Sequence, residues 1–590
     1  MSTKSSRPST PGVHGENLNV VSQRSALNAA GIIGTCTLAM IINIANMTLV
    51  SISMPVIADD LDIGQVNLQW LLSGFALSSG CLLLVCGRLA DLYGQKKVFI
   101  LGSLWLMVFS LGCGFAQDSL TLDILRGLQG IGCAATIPAS LGTLARAFPP
   151  GRARTVAFAS FAAGAPLGGV SGNVLGGLMT ELTSQSWRSA FYLNCGVVFL
   201  SVIGALVFFD RDEPSIETDR RVDWIGAFFV TAGLVLIVFV LAQGEIAPNK
   251  WATPYIIALL IVGVIFVLIF VFWQYHLERV QKRSFPSTSI LDKASVLLEN
   301  SRYIPTPPPL MCLSMWTRLH GRIAVVMFIA LLNWAGFMGW LYWVVLFYQD
   351  YQNLQPLATA VRLLPMFVTG IVLTTSFALV AGHVPIVVLF ALGTFLTACA
   401  PLLFALIDPD AGYWALGFPA AILSVAGADF VFASGTLFVA KVSVGHEQSV
   451  AGAVFQTMSQ IGTSIGITVS TVVFNRVLVH NAERAGIELE ESTLVASNVP
   501  KAAQLDAFRA GQWTSFAFGM IATVLSIVFL RNVGIIGGPN SEEDHHPETH
   551  VAVNDMESNS NGIGTATASF DSTPMASHDH EKVEEKERRH

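Results

Sequence analysis

Residues 87–99 read GRLADLYGQKKVF, a charged turn between two apolar stretches, QWLLSGFALSSGCLLLVC at 69–86 and VFILGSLWLMVFSLGCG at 98–114. Each flank is close to the length of about 20 residues that an α-helix needs to cross a bilayer. The turn therefore reads as a short loop at one membrane face. Gly87 and Gly94 let the chain turn tightly, and Asp91 can cap the next helix or pair across to a neighbouring bundle. Arg88, Lys96 and Lys97 hold the loop on the cytoplasmic side.

The rest of the chain repeats this pattern. Of 590 residues, 53% are hydrophobic and only 12% charged, with a mean hydropathy of +0.59. That charged share is about half the usual value for a soluble domain, so the chain is read as an all-α polytopic membrane protein. Apolar windows fall at 30–55, 65–86, 98–115, 122–147, 156–178, 191–209, 224–243, 253–274, 323–348, 357–380, 384–406, 412–440, 450–474 and 512–531, which predicts about fourteen spans. Loops after even-numbered spans carry Arg88, Lys96, Lys97, Arg146, Arg152, Arg154, Arg211, Arg220, Arg221, Arg279, Lys282 and Arg283. The alternate loops carry Asp59, Asp60, Asp62, Asp118, Asp350, Asp408 and Asp410. This bias puts both termini in the cytoplasm. No apolar h-region precedes the first span, so no cleavable signal peptide is expected.

The windows divide the chain into a cytoplasmic tail (1–29), six spans (30–209), two additional spans (210–274), a Pro-bearing linker (275–321), six more spans (322–534) and a second disordered tail (535–590). An outside loop is expected over 475–511. The cysteines read as small buried hydrophobes, and the DHH and HDH clusters of the tail as solvated chain, so no metal site is expected. Nothing supports nucleic-acid binding. No nucleophile–base pair or Walker pattern is present, so the chain is not read as an enzyme.

GRLADLYGQKK resembles the signature loop of the major facilitator superfamily, commonly written Gly-x-Leu-Ala-Asp-Arg-x-Gly-Arg-Lys. Gly87, Leu89, Ala90, Asp91, Gly94 and Lys96 match, while Leu92 and Gln95 replace the two arginines. The counterpart loop between the tenth and eleventh spans is reduced to Ala381, Gly382 and His383. LRGLQGIGCAA at 125–135 resembles the fourth-helix motif of proton-coupled members, with Arg126 as its buried charge. GGVSGNVLGG at 168–177 resembles the fifth-helix antiporter motif, with Asn173 where proline is usual. Together with WRSAFYLN at 187–194 and the span count, these resemble the fourteen-helix drug:proton antiporter group, in its fungal aminotriazole-resistance-type branch. The resemblance implies two six-helix bundles plus two extra central helices. It also implies export of a small organic compound, driven by a proton gradient with no bound cofactor. A monomer is expected, in the plasma membrane rather than the vacuole, which stays the alternative. A uniporter or importer on the same fold, and a non-transporting sensor, stay open.

An ionisable side chain inside a bilayer costs several kcal/mol unless it has a partner or a cavity. Arg126 shares a helix face with Gln129 and Cys133, and Asp429 is the one acid in the middle of the last six spans. Both are assigned to proton coupling. Where the family carries an acid in the first span, this chain has Asn46. Asn43, Asn46, Gln129, Asn333, Trp340, Gln456, Ser459 and Gln460 are expected to line the substrate cavity, with Thr463 continuing the stripe on the thirteenth span. Trp343 is assigned to the interfacial aromatic belt. Gly168, Gly172, Gly176 and Gly177 are assigned to close packing between moving bundles.

Overall fold

The computed structural model describes residues 25–64, 67–148, 152–212, 221–244, 247–283, 307–311, 313–380, 384–442, 448–484 and 499–531. Both tails, residues 284–306 of the linker and 381–383 lie outside these. Among the described residues fourteen long helices follow one another: α1 (Ala26–Leu61), α2 (Trp70–Tyr93), α3 (Gln95–Gly114), α4 (Ser119–Ala147), α5 (Arg152–Leu182), α6 (Trp187–Phe208), α7 (Trp224–Gln243), α8 (Pro254–Arg283), α9 (Ser314–Leu346), α10 (Pro356–Val380), α11 (Ile386–Ala405), α12 (Tyr413–Val442), α13 (Gln448–Arg484) and α14 (Lys501–Phe529). Thirteen are apolar enough to cross a membrane. In α5 glycine and serine dilute the hydropathy, and its small residues are used for close packing instead.

Every expected span is present, and several run further than hydropathy indicates. The outside loop assigned to 475–511 is helical to Arg484 and again from Lys501. The linker is helical to Arg283 at one end, and at the other α9 begins at Ser314. Non-helical backbone at Arg318–Gly321 then breaks α9, with Leu319, His320 and Gly321 at positive φ, before the bundle helix proper resumes. Asp350, assigned to a loop, sits half-buried in a π-helical turn at Phe347–Tyr351. Asp118 caps α4, and the Thr121 hydroxyl and N–H hold its carboxyl below the ordinary range.

The first bundle packs α1 on α5, α2 on α4, and α3 on α4 and α6. The second packs α9 on α13, α10 on α12, and α11 on α12 and α14. Adding eight to each helix number converts one set into the other. Two seams join the bundles, α2 against α13 and α5 against α10, and the same shift exchanges them.

At the end bearing the acidic loops, one apolar core runs through both bundles, from Ile57 and Leu72 to Trp343, Phe347, Phe474 and Phe508. At the basic end each bundle has its own core. Ile32, Phe99 and Ile137 belong to the first, and Met327, Phe390 and Phe438 to the second, which also takes Leu84 of α2. The bundles are thus sealed together at the acidic end and separable at the basic one.

Helices α7 and α8 pair with each other, and α7 also touches α2 and α13. Asp223 caps α7, accepting from Gly226 N (2.8 Å), Trp273 Nε1 (2.8 Å) and Gln274 Nε2 (2.5 Å). Gln274 accepts in turn from the Met311 N–H (3.3 Å). This fastens the α7–α8 pair to the strip of chain that enters the second bundle.

Candidate functional site

Within the first bundle, five helices contribute to one buried polar cluster. Arg126 of α4 is fully buried; its Nε donates to the Leu71 carbonyl (2.9 Å) and its Nη1 to Gln129 Oε1 (2.6 Å). Its guanidinium carbon lies 4.5 Å from the centre of the Phe75 ring. Gln129 Nε2 donates to Asn46 Oδ1 (2.9 Å) and to Ser110 Oγ (2.7 Å). Asn194 Nδ2 donates to the same two acceptors, at 3.0 Å each, and Asn46 Nδ2 donates to the Ile42 carbonyl (3.1 Å).

Asn46 and Gln129, expected to face the substrate, are not among the residues that line the interbundle cavity. Both have 0% exposure, and their hydrogen bonds are spent between α1, α3, α4 and α6. Asn43 is also buried, with no partner for Nδ2 among the described residues. Sequence reasoning missed Ser110 and Asn194. Asn194 closes the WRSAFYLN motif, whose Trp187 and Arg188 tie α6 to Asp60 at the end of α1.

A cavity of about 30 Å³ does lie between the bundles, on the adjacent face of α1. Its polar lining is Thr48, Ser51, Tyr342 and Thr463, all hydroxyls. Ile44, Met47, Leu72, Met338, Leu341 and Ile467 complete the wall. On α9 the lining residues thus neighbour the expected ones. Trp340 is instead buried edge-on to Phe404 (6.0 Å), and Asn333 is buried with neither amide atom partnered among the described residues. Trp343 is not at an interface: it is fully buried, stacks on Phe474 at 4.1 Å and donates to Ser470 Oγ (2.9 Å).

On α13 only Thr463 of the expected stripe reaches the cavity. Ser459 Oγ donates to the Phe455 carbonyl (3.1 Å), and Gln456 is half-buried. Gln460 lies against α2, where a methyl placed on Gly80 would be 2.8 Å from its Cβ. Ser464 donates to the Ser73 carbonyl (2.9 Å) on the same seam. The close approach of α2 turns that stripe into a helix contact.

Asp429 stands half-buried on α12 beside the other seam. A methyl placed on Gly370 of α10 would lie 3.4 Å from Asp429 Oδ2 and 3.1 Å from Cβ of Pro166 on α5. The two residues assigned to proton coupling are therefore not brought together. Arg126 lies inside one bundle, and Asp429 where the two bundles meet.

In the loop at 87–97, Gly94 has φ +110 and ends α2, and a Cβ there would strike Asp212. The acid that caps α3 is Asp212, not Asp91. Its oxygens accept from the N–H groups of Lys96 (2.9 Å) and Lys97 (3.1 Å). Asp91 instead accepts from Gln95 Nε2 (2.9 Å). Lys96 Nζ donates to the carbonyls of Leu206 (3.0 Å) and Phe209 (2.8 Å) at the end of α6. Gly87 packs near Pro138 of α4, and Arg88 is half-buried on the last turns of α2.

The glycine row of α5 mostly packs within its own bundle. A Cβ on Gly168 would lie 2.6 Å from the Ile41 carbonyl, one on Gly172 2.7 Å from that of Ala45, and one on Gly176 3.1 Å from Cα of Leu49, all on α1. Gly177 alone of the four crosses the seam, 3.2 Å from Cα of Leu357 by the same measure. At this sealed end Gln349 Nε2 also donates to the Ile52 carbonyl (2.8 Å), bridging α9's terminus to α1.

The model of the Major Facilitator Superfamily matches residues 36–229 and 217–467. Over 553 residues the chain is 26% identical to MFS-type transporter 1 of Pyricularia oryzae, covering 87% of this chain and 85% of that protein. It is 30% identical over 249 residues to the aminotriazole resistance protein of Saccharomyces cerevisiae, covering 42% and 46%. The in meso crystal structure of the POT family transporter PepTSo aligns with a TM-score of 0.59 at 14% identity, covering 85% of this chain and 98% of that one.

Proposed function

The chain belongs to the major facilitator superfamily and is a multi-pass membrane transporter, and from that premise we propose that it exports small organic compounds in exchange for protons. The two bundles rock about the cavity at their interface, opening it alternately to either side. The basic end faces the cytoplasm of a plasma-membrane monomer. Resistance proteins among the relatives support the direction.

The observation that carries the reading is the place of Asp429. A carboxyl beside the α5–α10 seam, next to Gly370 of α10, would change its surroundings whenever the bundles move. The test is efflux from proteoliposomes across an imposed pH gradient. Asp429→Asn is expected to abolish pH-driven efflux while leaving counterflow exchange of the same compound largely intact. Unchanged pH-driven efflux in that variant would refute proton coupling at this residue.

A uniporter is favoured by one observation: Asn46, which has no proton to exchange, is closed into hydrogen bonds with Gln129 and Asn194. Under that reading flux ignores the pH gradient in wild type as well.

A further inference from the structure

Toward the second bundle, the α7–α8 pair is held by hydrogen bonds between buried groups. Gln274 of α8 is fully buried, donates from Nε2 to Asp223 (2.5 Å) and accepts the Met311 N–H on Oε1 (3.3 Å). One turn on, Glu278 Oε2 accepts the N–H of Ser314 (3.1 Å), the first residue of α9, where N–H groups have no helical acceptor. Trp316 Nε1 donates back to Met311 Sδ (3.1 Å). Met311 and Met315 enter the second bundle's core beside Phe270 of α8. The backbone break at Arg318–Gly321 does not uncouple them from α9, because Met315 before it and Ile323 after it share that core.

Toward the first bundle the contacts are of another kind. The Phe239 ring of α7 lies 6.1 Å from the Trp70 ring of α2, Val238 is buried with Leu77 and Cys81, and Ala227 with Val85 and Leu310. Leu84 of α2 meets the second bundle's core in the same way. Apolar contact is non-directional, so these side chains can exchange neighbours along α2 at little cost. A buried amide or carboxylate that loses its donor stays unsatisfied until the donor returns. The pair is therefore free to slide over α2 and is fixed to residues 307–311 and the start of α9.

We infer that this strip is a strap joining the α7–α8 pair to the second bundle as one moving body, which carries the pair across α2 as a cover on the α2–α13 seam. Gln274 and Glu278 are its positioning residues. The inference rests on the rocking of two bundles proposed above, and is independent of cargo, direction and protons.

Spin-label distances on the full chain in lipid nanodiscs, read by double electron–electron resonance, test it. The labels are paired among Leu101 of α3, Leu268 of α8 and Leu392 of α11, all exposed. In wild type the α8–α11 distribution should be narrow, and the α3–α8 distribution as broad as the α3–α11 one, which spans the two bundles. Gln274→Ala together with Glu278→Ala should broaden the α8–α11 distribution toward the width of the α3–α11 one. An α3–α8 distribution narrower than the α8–α11 one would put the pair on the first bundle and overturn the inference. An α8–α11 width that the double variant leaves unchanged would overturn it as well. The wild-type ranking decides by itself should the variant fail to fold. Three equally narrow wild-type distributions would refute rocking alone, and the effect of the variant on the α8–α11 distribution then decides the strap.

Discussion

Asn46 illustrates what a single residue's polarity conceals. The amide is evident in the sequence, but which way it turns depends on Ser110 and Asn194, whose positions in other helices supply its neighbours. Its oxygen accepts one N–H from each of Gln129 and Asn194. Asn46→Ala leaves two buried N–H groups unpaired, and we expect a loss of ~1–3 kcal/mol in stability, seen as a lower unfolding temperature in detergent. Discrimination between neutral and cationic compounds should be unchanged in that variant, because Asn46 does not line the cavity. A shift in selectivity without loss of stability would return Asn46 to the substrate. Ser51 shows the converse: it lines the cavity, and nothing in SISMP marks it.

The helices themselves were legible because bilayer thickness sets the length of an apolar window. Their ends were not, since α13 continues through NRVLVHNAER, which is more polar yet helix-compatible. The cap is not legible for a similar reason: Asp91 is near α3 in sequence, whereas Asp212 reaches the N–H groups of Lys96 and Lys97 only because α6 runs alongside. Asp212 and Lys96 form a reciprocal clamp, an anion on the start of α3 and a cation on the end of α6. Asp212→Asn should cost about 0.3–1 kcal/mol, and Asp91→Ala should leave the start of α3 as stable as before; unfolding temperatures at low and high salt check both. In the α1–α5 contact, a Cβ on Gly172 would meet Thr48 Oγ1 and the Ala45 carbonyl. Gly172→Val should therefore prevent assembly of the first bundle. Gly127→Ala, with open space around it, should be tolerated, and size-exclusion profiles of the two variants separate these outcomes.

For the molecule as a whole, the shift of eight in helix number that relates the bundles also exchanges the two seams, so under the proposed alternating access one rocking motion would open one end and close the other. The family was legible from the loop at 87–97; the state in which the bundles rest was not, because it depends on contacts far apart in sequence. At the sealed end Leu357 N lies 3.4 Å from Glu181 Oε2. Cysteines at these two positions joined by a short bismaleimide should arrest flux; flux that survives full cross-linking would mean that this end never opens. The hydroxyl-only cavity has an energetic consequence. Under the proposed exchange, an uncharged cargo leaving as one proton enters would move one net positive charge across the membrane in every cycle, making voltage a fuel in its own right. A potential of 100 mV supplies ~2.3 kcal/mol per charge, which at ~1.4 kcal/mol per tenfold ratio corresponds to a concentration gradient of roughly fiftyfold with no pH difference at all. Under that exchange, vesicles clamped with valinomycin and potassium should drive export of an uncharged compound at equal pH on both sides, and a cell that dissipated its pH gradient but kept its membrane potential would go on clearing it.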